Sequence, residues 1–245
     1  MFSTLKNHPF PVEAFFQSSV VLTFAVPKEQ LEPLIPECLS LDTFNDKYAF
    51  VAVAMVQTKD LRPKGFPAFM GNDFFLIGYR IFVRYKNNAG KNLRGLYILR
   101  SETDKKKMEF LGNIFTHYSY TTTDISLTRA GNIITYASVK SAFRVAIDVA
   151  EENVGLPPRS PFADWKEARR FAGPLPFTFR YDAKTKEVLI IEGQRENWIP
   201  RPLHVADYNF AFLQTLDIKG AALANAFIIN NIPYYWKKGK TEIWQ

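Results

Sequence analysis

The chain has one cysteine, Cys38, in 245 residues. No intrachain disulfide can form, which fits a reducing cytoplasm. Cys38 sits in an apolar stretch after Pro36 and reads as an inert packing thiol. Histidine is scarce too: His8, His117 and His204 lie far apart without HxH or HxxxH spacing, so no metal site is expected. The sequence lacks a Walker loop, a GxGxxG turn and a GxSxG elbow. No cofactor is therefore expected. No apolar run is long enough to span a bilayer. The first residues, MFSTLKNHPFPVEAFF, lack a signal-peptide core because His8, Pro9, Pro11 and Glu13 interrupt them. Gly/Ser linkers, low-complexity tracts and repeats are also missing, so one domain over residues 1–245 is expected. A formal net charge of +7 comes from scattered basic residues. Without a basic stripe or a nucleic-acid motif, it points to a solvated surface and not to a nucleic-acid or membrane partner.

Aromatic residues are abundant: 22 Phe and 11 Tyr accompany clusters of β-branched residues. These suit pleated, half-buried surfaces. Strands are read over 15–26, 48–58, 74–86, 96–100, 117–127, 133–140, 143–149, 187–192, 205–216 and 223–232. Pro27 opens a short helix to Pro36, and further helices are read over 101–115 and 162–171. Ser101, Thr103 and Asp104 are the candidate caps of the second. Strands come in runs and do not alternate with helices, so the expected fold is mainly β (α+β), an antiparallel barrel-like core with a few short flanking helices.

Chemistry candidates are few. Lys105, Lys106 and Lys107 look like a depressed-pKa amine cluster, but three consecutive helical positions leave at least two in solvent, without the desolvation such a shift needs. Arg80 is different. It shares a face with Arg84 by the period of two, in an otherwise apolar strand, so its charge needs a partner, a cavity or an anion. Gly78 beside it marks a bulge or a close backbone approach. Arg100 precedes Glu102, and local pairing accounts for it. Glu192 and Arg195 end a strand that leads into the Trp198-Ile199-Pro200-Arg201-Pro202 corner, and either pairs with the other or reaches a pocket.

Four stretches in order resemble the acetoacetate decarboxylase-like superfamily, in particular its uncharacterised YqjF-like branch, a domain of unknown function. They are Val26-Pro27-x-x-x-Leu31-x-x-Leu34-Ile35-Pro36 with Leu41-Asp42; Arg62-Pro63-x-Gly65-x-Pro67 with Phe74 and Arg80; Gly95 to Leu99 through Asp104 and Leu111-Gly112 to Tyr118-Ser119-Tyr120; and Arg195 to Pro202 with Asn230 to Tyr234. The resemblance implies a barrel-like core around an apolar-walled cavity, in which a lysine of the true decarboxylases forms a Schiff base with a β-keto acid. Two departures stand out. The lysine position falls on Tyr120, and an acidic position preceding the family arginine falls on Leu76, while the arginine is kept as Arg80. A tyrosine cannot form an iminium, so the parent decarboxylation is not expected.

The resemblance thus points to binding of a small, partly apolar carbonyl or carboxylate compound, such as a keto acid, with Arg80 as anion clamp and Tyr120 as orienting hydroxyl. Arg100, Glu192 and Arg195 are further ligand candidates, and no residue is assigned a catalytic role. A lyase or hydrolase acting on a keto acid, and a non-catalytic interaction protein with a filled interior, are the alternatives. The run Pro233-Tyr234-Tyr235-Trp236 fits either a homo-oligomer surface or ordinary packing.

Overall fold

A computed structural model describes residues 7–173 and 175–245. Fifteen strands and three α-helices occur in it: β1 (Val12–Pro27), β2 (Ser40–Leu41), β3 (Tyr48–Pro63), β4 (Asn72–Lys86), β5 (Asn92–Thr103), α1 (Lys106–Phe115), β6 (Tyr120–Thr122), β7 (Ser126–Ala130), β8 (Ile133–Ser138), β9 (Phe143–Asp148), α2 (Trp165–Ala172), β10 (Phe177–Asp182), β11 (Glu187–Arg195), β12 (Arg201–Pro202), β13 (His204–Phe210), α3 (Ala211–Thr215), β14 (Ala222–Trp236) and β15 (Lys240–Ile243). None of these helices is long and apolar enough to cross a membrane.

The larger sheet runs β14-β1-β3-β4-β5-β10-β11, and a further β11–β14 pairing closes these strands into a ring. Most neighbours are antiparallel, as expected, but β5 meets both β10 and β6 in parallel. A second sheet, β13-β9-β8-β7, covers one side. It buries Tyr136, Phe143, Val145, Ile147 and Phe210 against Val20, Leu22, Val53, Ile77 and Tyr79 of β1, β3 and β4. Those ring residues occupy one face of their strands, and the other face is left for the ring interior.

Several expected boundaries move. The helix between Pro27 and Pro36 is two 3₁₀ turns, Lys28–Gln30 and Glu32–Leu34. Pro33 lies at the start of the second turn and lacks the N–H that a continuous α-helix requires. The helix read from Ser101 begins at Lys106, because Ser101 to Thr103 extend β5. None of the expected caps serves α1: the Asp104 carboxylate instead accepts the Phe75 backbone N–H at 2.7 Å. The strand read over 117–127 divides into β6 and β7, and the end of the one read over 205–216 coils into α3. The short β2 and β12, and also β10 and β15, lie outside the expected strands. The alternation of Phe177, Phe179 and Tyr181 with Thr178, Arg180 and Asp182 is a readable period-two signal for β10.

Candidate functional site

Every strand of the ring contributes to the wall of a cavity of about 120 Å³. Its sides are apolar, with Phe16, Val21, Ala54, Leu76, Ile98 and Phe227 among them, and α2, Leu175 and Trp198 also line it. The polar side chains turned toward it include Arg80, Arg195, Tyr118, Tyr120 and Tyr234. No carboxylate and no lysine is among its lining residues.

Arg80 is placed by β4. Alternation sends Phe75, Ile77, Tyr79 and Ile81 to the packed face and Arg80 to the interior. The side chain folds back over Gly78, where a Cβ would lie 2.8 Å from its Nε. This is the close approach expected of Gly78. A register shift between β4 and β5 falls between Tyr79 and Arg80. Nε of Arg80 has no hydrogen-bond partner, and no carboxylate pairs with it among the described residues. Its side chain lines the cavity. Burial pushes its pKa down; the tyrosines oppose this, and Arg195 adds to it. A guanidinium keeps its proton regardless, so the cost appears as an uncompensated buried charge.

Arg195 reaches the same cavity from β11. Its Nη2 donates to the Leu175 carbonyl and to the Tyr234 hydroxyl, both at 3.0 Å. Its guanidinium lies 4.7 Å from the Trp198 ring centre and 5.0 Å from that of Tyr234. Contacts of this kind hold an arginine without neutralising it.

Tyr120 is fixed by α1. The Asn113 side chain accepts the Tyr120 N–H at 2.7 Å and donates to the Tyr120 carbonyl at 2.9 Å. The ring lies so close to Gly112 that a Cβ there would be 2.4 Å away. Ser119 takes a left-handed φ of 52° just before β6. Tyr118 and Tyr120 meet edge to face at 6.1 Å, and the Tyr118 hydroxyl is buried beside Thr178. Burial raises the pKa of both phenols well above the ordinary range. Both stay protonated near neutrality. They can donate hydrogen bonds but cannot act as bases.

The structure thus brings Arg80, Tyr120 and Arg195 together and separates the other two candidates from them. Arg100 lines a surface hollow of about 1050 Å³ beside α1. It pairs with buried Glu102 at 2.7 Å, which also accepts the Ser141 hydroxyl at 2.6 Å. This is the local pairing foreseen for it, and it ties β5 to the turn between β8 and β9. Glu192 pairs with Lys237 at 2.9 Å and not with Arg195. Lys105, Lys106 and Lys107 are exposed, as expected. Cys38 is buried and its thiol is pushed up to about 12, which fits an inert role. Tyr118, Asn113 and Tyr234 had not been singled out as site residues. Tyr118 and Tyr234 sit inside the stretches that carried the family resemblance, and Asn113 directly follows Leu111-Gly112.

Residues 14–240 match DUF2071, a family described as an uncharacterized conserved protein. No curated protein matches the chain. Among solved structures, the acetoacetate decarboxylase of Legionella pneumophila superposes with a TM-score of 0.65 at 10% identity, over 96% of this chain and 88% of that one. An acetoacetate decarboxylase-like enzyme of Sphingomonas wittichii RW1 superposes with a TM-score of 0.61 at 12% identity, over 95% and 92%. The enduracididine biosynthesis enzyme MppR, complexed with pyruvate, gives 0.54 at 9% identity, over 95% and 88%. At such identities the likeness is one of fold.

Proposed function

The chain belongs to the DUF2071 family of uncharacterized conserved proteins and has an acetoacetate decarboxylase-like fold; on that premise we propose that its ring cavity binds a small, partly apolar carboxylate with an adjacent carbonyl, a keto acid or a close relative. The observation that carries this reading is the pair Arg80 and Arg195 facing one cavity whose wall holds no carboxylate. Two guanidiniums turned toward one small cavity repel one another and lose hydration, so an anion between them relieves both costs. A carboxylate fits the donor geometry of a guanidinium fork. The hydroxyls of Tyr118 and Tyr120 add neutral donors for a neighbouring carbonyl oxygen. That MppR holds pyruvate within a similar fold supports the same ligand class.

The reading is of a binding site without the parent Schiff-base chemistry. Tyr120 takes the place of the reactive lysine, and among the described residues no lysine lines the cavity. A cytoplasmic setting goes with the single buried thiol.

The test is calorimetric titration with pyruvate and 2-oxobutyrate, against the neutral analogue 2-butanone, for wild type and Arg80→Met. The acids are expected to bind wild type, with a loss of at least tenfold in Arg80→Met, as when one partner of a buried charged hydrogen bond is removed. Equal losses for acids and for 2-butanone would remove the clamp role. Trapping of any lysine by borohydride in the presence of a keto acid would restore an iminium route and overturn the tyrosine replacement.

A further inference from the structure

A second, larger space adjoins the arginine cavity. It measures about 370 Å³ and lies between α1, the start of β4 and the segment leading into β1. Phe10, Val12, Phe74, Met108, Leu111 and Phe115 give it an apolar wall. Phe16, Leu76, Trp236 and the two tyrosines, Tyr118 and Tyr120, line both spaces. The tyrosines therefore stand at the junction, and half-exposed Met70 and exposed Lys107 belong to the chamber's lining.

The sizes matter. The arginine cavity alone falls below the ~300–1,000 Å³ of ordinary small-molecule sites, whereas the apolar chamber lies within that range. A head group of a few atoms fits the first, and the second offers apolar surface where an aliphatic chain would leave water. Interiors are normally close-packed, so an apolar space of this size stands out.

We propose that the two spaces form one site for a straight-chain 2-oxo acid, its carboxylate between Arg80 and Arg195 and its aliphatic tail running past Tyr118 and Tyr120 into the apolar chamber. This rests on the carboxylate reading of the cavity and adds the tail. Selectivity then lies in chain length, with Tyr118 and Tyr120 at the junction of head and tail.

A length series tests it: pyruvate, 2-oxobutyrate, 2-oxohexanoate and 2-oxooctanoate, with 1-octanol as neutral comparator, titrated into the full chain. Burial of each methylene should tighten Kd about fourfold until the chamber is filled. In Leu111→Trp, which places an indole in the chamber, the dependence of affinity on length should collapse. The wild-type series decides the matter even where that variant folds poorly. Equal affinity for pyruvate and 2-oxooctanoate overturns the tail chamber and leaves the carboxylate reading standing. Octanol binding as tightly as 2-oxooctanoate overturns the carboxylate head, and the proposal with it. Failure of every acid to bind overturns both.

Discussion

β4 carries two arginines four residues apart on one face, and they meet opposite fates. Arg84 finds Asp42: its Nε lies 2.6 Å from one oxygen of a fully buried carboxylate. Arg94 of β5 takes the other oxygen at 2.6 Å, donates to the Phe171 carbonyl at 2.8 Å and lies over the Phe171 ring. One buried carboxylate thus bridges both guanidiniums of that cluster. Arg80, two repeats of the pleat away, finds Arg195, three tyrosines and no carboxylate. The first cluster joins β2, β4 and β5 and closes their packing. The second is left incomplete, and incompleteness is what a binding site for an anion requires. Arginine in a buried strand therefore reports function only once its partner is known.

The contrast can be broken at either end. Removing Asp42 has the largest expected effect. Asp42→Ala leaves two guanidiniums facing one another. The loss should be about 2–3 kcal/mol by denaturant unfolding, below the ~3–5 kcal/mol of a fully buried pair, because the side chains of Arg84 and Arg94 keep 37% and 33% exposure. A neutral result would mean that this cluster is as free as the other.

Arg80→Met should do the reverse to the ligand-free protein. An apolar side chain of similar length replaces a buried, unpaired charge, so stability should rise by about 1 kcal/mol or more, a Tm increase of about 2–4 °C per kcal/mol for a chain of this size. Gain of stability with loss of acid binding is the signature of a functional site. Loss of stability would place Arg80 with Arg84 as a structural residue.

Gly78→Ala sharpens the comparison at smaller scale. Its methyl group would press on Nε, Nη2 and Cζ of Arg80, which can move aside at the end of a flexible side chain. Stability should stay within about 0.5 kcal/mol, while affinity for short acids falls severalfold. Unchanged affinity would show that the folded-back position of Arg80 is irrelevant to binding.

The smallest effect expected is with pH. Because Tyr118 and Tyr120 have raised pKa values, acid affinity should be flat from about pH 6 to about pH 9. Stability should be independent of their ionisation below about pH 10, the unfolded value. Above it the unfolded chain gives up protons that the folded chain retains, so stability should fall as pH rises. Tyr118→Phe should shrink that alkaline loss. A decline in acid affinity beginning near pH 8 would mean that a phenol in the site titrates in its ordinary range.

Much of the fold was legible because strands write their faces into the sequence. The period of two in β4 put Arg80 and Arg84 together on the side opposite Ile77, Tyr79 and Ile81. Gly78 announced a close approach, and the apolar runs gave β1, β3 and β14 correctly, though too short. The helix starting at Lys106 was misread because Ser101 and Thr103 are good capping residues by local rules. Their place in β5 depends on pairing with β4 and β6, contacts that local spacing does not encode. The same holds for residues 211–215, where apolar content suits strand and helix alike.

By itself the sequence determined that Arg80 lies on an apolar strand with a charge to be answered, and that the chain is built mainly of strands. These are local properties, set by side-chain alternation and residue chemistry. Only the tertiary structure decided that Asp42 answers Arg84 and not Arg80, that Arg195 faces the cavity while Glu192 turns to Lys237, and that Tyr118 and Tyr234 join the site. The first depends on the pairing of β2 with β4, the placing of Tyr118 on the pairing of β6 with β5, and the others on ring closure through β11 and β14. A shift of one residue in register turns a side chain from the interior to the opposite face.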